Sequence, residues 1–579
     1  MFGANVASGE VEFRVWAPKL QKLSVELNGS AFELSRNDAD IFSGSLKAKA
    51  GDRYCYLVGD RRLPDPVSRL LPEGAHGRTE IVDPEAFEWS DESWTGLSFN
   101  EYVLYELHVG TFSPEGTFDG VINRLDYLRS LGVTAIEIMP VAAFPGERNW
   151  GYDGVSLYAV QASYGEPEGL KRLVNAAHHV GLAVVVDVVY NHLGAEGNYL
   201  REFGPYFTDR YHTVWGDAIN YDDEGSQQVR KYVIENALYW IREYHIDGLR
   251  LDAIQAIYDS SKTHIIKELA RDVQEFARGA NRQIAVIAES DQNDRNLILP
   301  ANEGGFGVDA VWSDDFHHSV HTFLTKENRG YYQDYGEPEK IVKALNEGFV
   351  FQGQHYRFWR ASRGSSTDGI PLLRHVFCIQ NHDQVGNRCN GERLAHLVPR
   401  GAVKAAAALL LLAPETPLLF MGEEYAEPAH FQFFTDYGDK NLQEAVVEGR
   451  KKEFEDFGWE ETPNPQDPET FARSKLTWKT DDEMLAWYRQ LLELRRKFVT
   501  HSPRTCRARL SDGAIVLEVP AQNSELILRV RFPGSGKYVG EKEGAEQVLL
   551  RSQEDGYETV IIKSERTPQA VQPNQAAAD

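Results

Sequence analysis

The stretch LAVVVDVVYNH, residues 182–192, opens on a nearly unbroken apolar run and ends on polar and ionisable residues. A strand with one wet face alternates apolar and polar positions. This one does not, so both of its faces are expected to be buried, as in a parallel sheet. Seven further runs of the same kind follow the same logic, at 103–109, 135–139, 248–251, 284–288, 308–311, 376–379 and 417–421. Helical stretches separate many of them, including 169–179 and 228–244. Eight such units predict an α/β chain built on a (β/α)8 TIM barrel, with insertions at 198–224 and 319–369. A helix at 482–497 closes the barrel, with Met484, Leu485, Tyr488, Leu491 and Leu492 on one face.

The pattern changes on both sides of this region. Val11, Phe13, Val15 and Ala17 alternate with polar residues, as do Leu23, Val25 and Leu27, and Asn28-Gly29 marks a hairpin turn. These features predict an N-terminal β-sandwich over residues 1–95, left through the Pro-rich stretch PDPVSRLLPEGAHG at 64–77. The barrel is expected over 96–500. Alternation returns at 515–519, 526–530 and 560–562, so a small C-terminal β domain is expected over 501–567. The remaining segment, 568–579, has the composition of a disordered tail.

Composition excludes several functions. The 579 residues carry 61 basic and 87 acidic side chains, a net charge of −26. Nucleic-acid binding needs a basic footprint for phosphates, and anionic membrane surfaces repel such a chain. Neither nucleic acid nor membrane is therefore an expected partner. Four scattered cysteines, Cys55, Cys378, Cys389 and Cys506, make neither a disulfide scaffold nor a zinc knuckle. With no signal-peptide pattern at the N-terminus and no apolar stretch of about 20 residues, a cytoplasmic location is expected. The charge run at 450–461 is expected to be a solvated, salt-bridged face.

Catalytic groups of such barrels sit at the C-terminal ends of the strands. Four of these ends carry acids: DVVYNH (187–192), GLRLDAIQ (248–255), IAES (287–290) and QNHDQVGNR (380–388). One such acid is ordinarily a helix cap or a loop residue. Four of them on one rim, with a His, Arg or Asn partner beside them, are not explained by capping. Asp252 and Glu289 lie one β/α unit apart, which puts them on neighbouring strands about 4.8 Å from each other. Two carboxylates at about 5 Å leave no room for a water between them, the spacing of a retaining glycosidase. In such a pair one carboxyl has to begin protonated, and nearby acids favour that.

These four segments, in this order, resemble the α-amylase family, glycoside hydrolase family 13. The resemblance implies that Asp252 is the nucleophile, Glu289 the general acid/base and Asp383 the third, transition-state-stabilising carboxylate. It makes His192, Arg250 and His382 contacts of the sugar undergoing cleavage, Asp187 the acid that orients the Arg, and Tyr152 the ring that stacks on that sugar. The segments 64–77, 144–154 and 309–325 are similar to a trehalose-releasing branch of the family. That similarity implies a hydrolase acting on maltooligosyltrehalose and related α-glucans and cutting the α-1,4 bond next to the terminal trehalose.

Ser313, Asp314, Asp315, Phe316 and His317 follow the sixth strand, and are expected to form a loop touching substrate. Gln255, Gln384 and Asn387 are further candidates for substrate contacts. Many amylases carry Lys or His where this chain has Gln255, which limits how far their leaving-side contacts transfer. No metal site and no cofactor are expected. Adjacent His317 and His318 in a loop do not converge on one ion. Asn191 matches a calcium ligand of several α-amylases, but no acid-rich second segment accompanies it. A glucan branching enzyme, a general α-glucan hydrolase and a non-catalytic glycan-binding protein are the alternatives on this fold.

Overall fold

The computed structural model describes residues 2–7, 9–455, 463–522, 524–534 and 546–565. The expected tail at 568–579 and part of the charge run at 450–461 lie outside the described residues.

Eight parallel strands close into a barrel: Leu104–Leu107, Ala135–Ile138, Ala183–Val188, Gly248–Leu251, Ala285–Ala288, Ala310–Trp312, His375–Cys378 and Thr416–Phe420. The first pairs with the eighth, Leu104 opposite Leu418. Every residue of these strands is buried, which is why their sequences run apolar without alternating. Helices Glu166–His179 and Ser226–Glu243 occupy the crossovers expected for them. The closing helix spans Asp482–Leu494 and runs on into a π turn at Arg495–Val499. Met484, Leu485, Tyr488, Leu491 and Leu492 are all buried. The sixth strand begins two residues later than its apolar run. Asp309 there takes the backbone N–H of Val286 on its carboxylate and donates its own N–H to the Val286 carbonyl, each at 2.8 Å.

Before the barrel, two antiparallel sheets contain the strands Glu10–Trp16 and Ser24–Leu27. Asn28 and Gly29, at φ 49° and 83°, make the left-handed turn to the next strand. The Pro-rich stretch is a strap, buried over residues 64–71. Asp65 within it accepts from the hydroxyls of Tyr54 (2.7 Å) and Tyr56 (3.1 Å), and the carbonyl of Pro66 accepts from Tyr232 on a barrel helix (2.9 Å). After the barrel, five antiparallel strands form one sheet. Arg400 ties this sheet to the barrel through Glu554 (3.5 Å) and to the closing helix through Asp481 (2.6 Å). No helix among the described residues is long and apolar enough to cross a membrane.

Candidate active site

The site is built around one buried guanidinium. Arg250 lies in the fourth strand and is fully buried, and its Nη1 donates to Asp187 Oδ2 and to Asp252 Oδ1, each at 2.8 Å. Its Nη2 is 3.7 Å from Glu289 Oε2. Three carboxylates from three neighbouring strands therefore lean on one cation. The Trp312 ring lies 4.3 Å from the guanidinium carbon, a cation–π contact that steadies the buried group. Removing either side of such a cluster would leave an uncompensated buried charge.

Asp252 follows the fourth strand directly, and Leu251 stands opposite Ala288 in the ladder. Asp252 and Glu289 thus emerge side by side, as their spacing predicts. The residue between the strand end and the next turn, Ala253, is held at φ 38°. In that left-handed conformation its N–H donates to Glu289 Oε2 at 2.6 Å. Such backbone is costly for a residue with a Cβ, and it persists where the surroundings fix it. Burial pushes the Glu289 carboxyl well above the usual range. Arg250 opposes the shift, while Asp252, Asp314 and Asp383 reinforce it.

Asp383 stands at the rim, with Oδ1 accepting from Asn387 Nδ2 at 3.0 Å. Asn387 Oδ1 in turn accepts from Arg450 at 2.9 Å, so Asn387 orients Asp383. His382 Nε2 is 3.4 Å from Asp383 Oδ2. The Tyr152 ring stacks on His382 at 5.0 Å and 21°, and its hydroxyl donates to Asp187 at 2.6 Å. Gly151 carries Tyr152 into place at φ 107°, where a Cβ would meet the Pro140 carbonyl at 2.4 Å. Glycine is required there. His192 is buried, contacts the Asn191 side chain, and stacks on Trp215 at 4.2 Å and 6°. Gln384 Nε2 reaches Asp314 Oδ1 at 3.4 Å. Gln255 Oε1 and Gln384 Oε1 are buried without a protein partner.

The expected strand-six loop is corrected by the structure. Asp314–Thr325 is a helix, so successive side chains turn about 100° apart and cannot all face the cleft. Asp314 does face the other acids. Ser313 Oγ donates to the Gly348 carbonyl at 2.8 Å, away from them. Asp315 is completely buried and accepts from Asn293 Nδ2 (2.7 Å), Val350 N (2.6 Å), Phe351 N (3.1 Å), Arg363 Nη1 (3.0 Å) and the Tyr335 hydroxyl. Phe316 stacks on Phe377 at 4.4 Å in the core. His317 Nδ1 donates to the Ile379 carbonyl at 2.8 Å. Ser313 and Asp315 thus bond to the 319–369 insertion, while Phe316 and His317 pack the helix onto the seventh strand and its end. His318, on the same helix, stacks on Tyr331 at 5.0 Å.

Two residues of the site were not given their part in it by the sequence. Asn191 Nδ2 donates to both Asp252 Oδ2 and its carbonyl, at 2.7 Å each, so the amide sits inward on a catalytic candidate. Its place in DVVYNH, between two singled-out residues, was the available signal. Trp215 read in sequence only as a further aromatic. Among the described residues no group of three or more His, Cys, Asp or Glu side chains is arranged to hold a metal ion.

The arrangement has relatives. Residues 81–217 match the alpha-amylase catalytic-domain family. The chain is 48% identical to a malto-oligosyltrehalose trehalohydrolase of Saccharolobus solfataricus, over 86% of this chain and 87% of the relative. It is 45% identical to a protein of the same name from Arthrobacter ramosus, over 85% of this chain and 88% of the relative. A crystal structure assigned as an alpha amylase, from Salmonella typhimurium, superposes with a TM-score of 0.90 at 39% identity, covering 97% of this chain and 99% of the other. Identity of this extent, along a chain that places its acids at the strand ends the barrel requires, establishes that this protein belongs to the malto-oligosyltrehalose trehalohydrolase family, within the alpha-amylase-type glycoside hydrolases.

Proposed function

We propose that the protein hydrolyses the α-1,4-glucosidic bond next to the terminal trehalose of maltooligosyltrehalose, with retention, releasing trehalose and so serving trehalose biosynthesis. The enzyme is a 4-α-D-((1→4)-α-D-glucano)trehalose trehalohydrolase. The observation that carries the chemistry is the shared guanidinium: Asp252 hydrogen-bonded to Arg250, and Glu289 beside it in a site that favours its protonated form.

In the first step Asp252 attacks C1 of the sugar, and the C1–O4 bond breaks. The Glu289 proton passes to the departing oxygen, so trehalose leaves neutral. A glycosyl ester on Asp252 remains. In the second step water attacks C1, Glu289 takes its proton, and the Asp252–C1 bond breaks. Two inversions give net retention. Positive charge grows on C1 and the ring oxygen in both steps, and Asp383 is positioned to offset it. Tyr152 supplies an aromatic face, and His192, Arg250 and His382 supply donors to the same sugar. Asp187 and Asn387 keep Arg250 and Asp383 in place. Asp314, Gln384 and Gln255 carry polar atoms with bonding capacity left for sugar hydroxyls. Selectivity for trehalose over maltose would come from such groups going unpaired when the wrong sugar binds.

The setting is taken to be cytoplasmic, which subcellular fractionation with an antibody would test. The activity itself is tested by chromatography after incubation with maltooligosyltrehalose, amylose and plain maltooligosaccharide. Trehalose plus a shortened maltooligosaccharide, from the first substrate only, is the expected outcome. New α-1,6 branches from amylose would make the protein a branching enzyme instead.

A further inference from the structure

Beneath the acids, the barrel interior holds two glutamates that the reaction does not consume. Glu106 lies in the first strand and Glu137 in the second, directly opposite each other in the parallel ladder. Strand residues in register point to the same side, so both enter the barrel interior. Each is about 1% exposed. Two carboxylates in one dry layer do not both ionise readily. Their bonding separates them. Glu106 accepts from the backbone N–H of His382 through Oε2 (2.8 Å) and from Nδ1–H of the same residue through Oε1 (2.5 Å). Glu137 Oε2 has no partner.

We propose that Glu106 is a positioning residue for the reaction: its two-point grip on His382 fixes that imidazole with Nε2 toward Asp383 and keeps it as the imidazolium. A neutral imidazole has one N–H. If that proton sits on Nδ1 to satisfy Glu106, Nε2 has none left for Asp383 or for a sugar hydroxyl. Only the doubly protonated ring donates on both sides. The inference rests on the proposed role of His382 as a sugar contact.

The charges facing His382 come from several elements. Glu106, Glu137, Asp187 and Arg250 belong to the strands below it, Asp383 follows it in sequence, and His108 stands beyond the first strand. Burial alone would pull the His382 pKa down. Asp383 and Glu106 overcome that, against Arg250, and raise it to about 9. Burial, and next Glu106, push Glu137 well above the carboxylate range, so its proton stays on and it adds no charge. Burial holds His108 neutral, at about 4.

The test is a titration of the histidine rings by 15N NMR, with His382 assigned through its loss in His382→Asn. In the wild type both His382 nitrogens should remain protonated at pH 8. In Glu106→Gln the transition should move down by at least one pH unit, because the amide keeps an acceptor but not the charge. The ratio of kcat/KM between this variant and the wild type should then fall further at pH 8 than at pH 6, by about twofold for a one-unit shift and about tenfold for a two-unit shift. Glu137→Gln, which replaces a neutral acid in the same layer, should leave the His382 titration in place. A merely structural role for the layer predicts no shift in either variant. A neutral His382 in the wild type at pH 8 would overturn the proposal, even if Glu106→Gln failed to fold. So would a Glu106→Gln titration like that of the wild type. Because the titration needs no turnover, it stands apart from the assignment of the catalytic acids.

Discussion

Replacing Asp315 by Ala separates a structural acid from a substrate-binding one. The residue lies between Asp314, which faces the cleft, and Phe316, which faces the core. Its carboxylate receives two backbone N–H groups, one amide, one hydroxyl and the buried Arg363 guanidinium, whose Nη1 is 3.0 Å away. Truncation removes the counter-charge of an arginine that is only 3% exposed. Breaking a buried pair from one side costs about 3–5 kcal/mol. Leaving the N–H groups of Val350 and Phe351 unpaired adds about 1–3 kcal/mol each, less whatever relaxation and water entry recover. A net loss of at least about 4 kcal/mol is expected. Asp315→Asn keeps an acceptor and loses the charge, and should fall between the two. Urea unfolding followed by tryptophan fluorescence reads the loss as a lower midpoint. At a temperature where the variant is folded, its preference for maltooligosyltrehalose over plain maltooligosaccharide should stay within about threefold of wild type, which is under 1 kcal/mol. An unchanged urea midpoint combined with a lost preference would refute the reasoning and return Asp315 to the substrate site.

Asp252→Asn and Glu289→Gln should each cost several orders of magnitude in kcat in protein that still folds; more than about a tenth of wild-type activity in either would remove that residue from its role. Asp314→Ala should erode the preference for the trehalose-ended substrate more than it erodes the basal rate on plain chains, as read from paired kcat/KM values; equal losses on both would place Asp314 outside the leaving side. His178 bridges Asp91 (2.7 Å) and Asp247 (2.8 Å) at the base of the barrel. Burial works against its protonation, but bonds to Asp247 and Asp91 win, so its folded pKa lies above the unfolded value. The stabilisation is therefore complete below about pH 6.5 and is lost as pH rises through the folded value. His178→Gln should lower the urea midpoint more at pH 6 than at pH 9, and an equal drop at both would show that the charge does not matter.

Much of the barrel was legible because burial on both faces writes a strand as a continuous apolar run. The strand ends were legible for the same reason, since Asp252 and Glu289 interrupt such runs where the barrel opens. The strand-six segment was misread although a signal was present. Asp314 and Asp315 are acids in a helix first turn, and Phe316 and Val320 recur four residues apart. Treating five consecutive residues as one contact surface ignored the 3.6-residue period. The Asp315 hub was not legible at all, because its partners come from residues 293, 335, 350, 351 and 363, and only the folded insertion brings them together. Glu106 and Glu137 were hidden within runs read as apolar.

The measurement closest to the central claim is a 1H NMR time course of a maltooligosyltrehalose incubated with enough enzyme to outrun mutarotation. The account predicts trehalose as the first sugar released, together with a maltooligosaccharide whose new reducing end appears as the α-anomer and only later equilibrates. A first product in the β-anomeric form, or plain maltooligosaccharide cut as fast as the trehalose-ended chain, would contradict it.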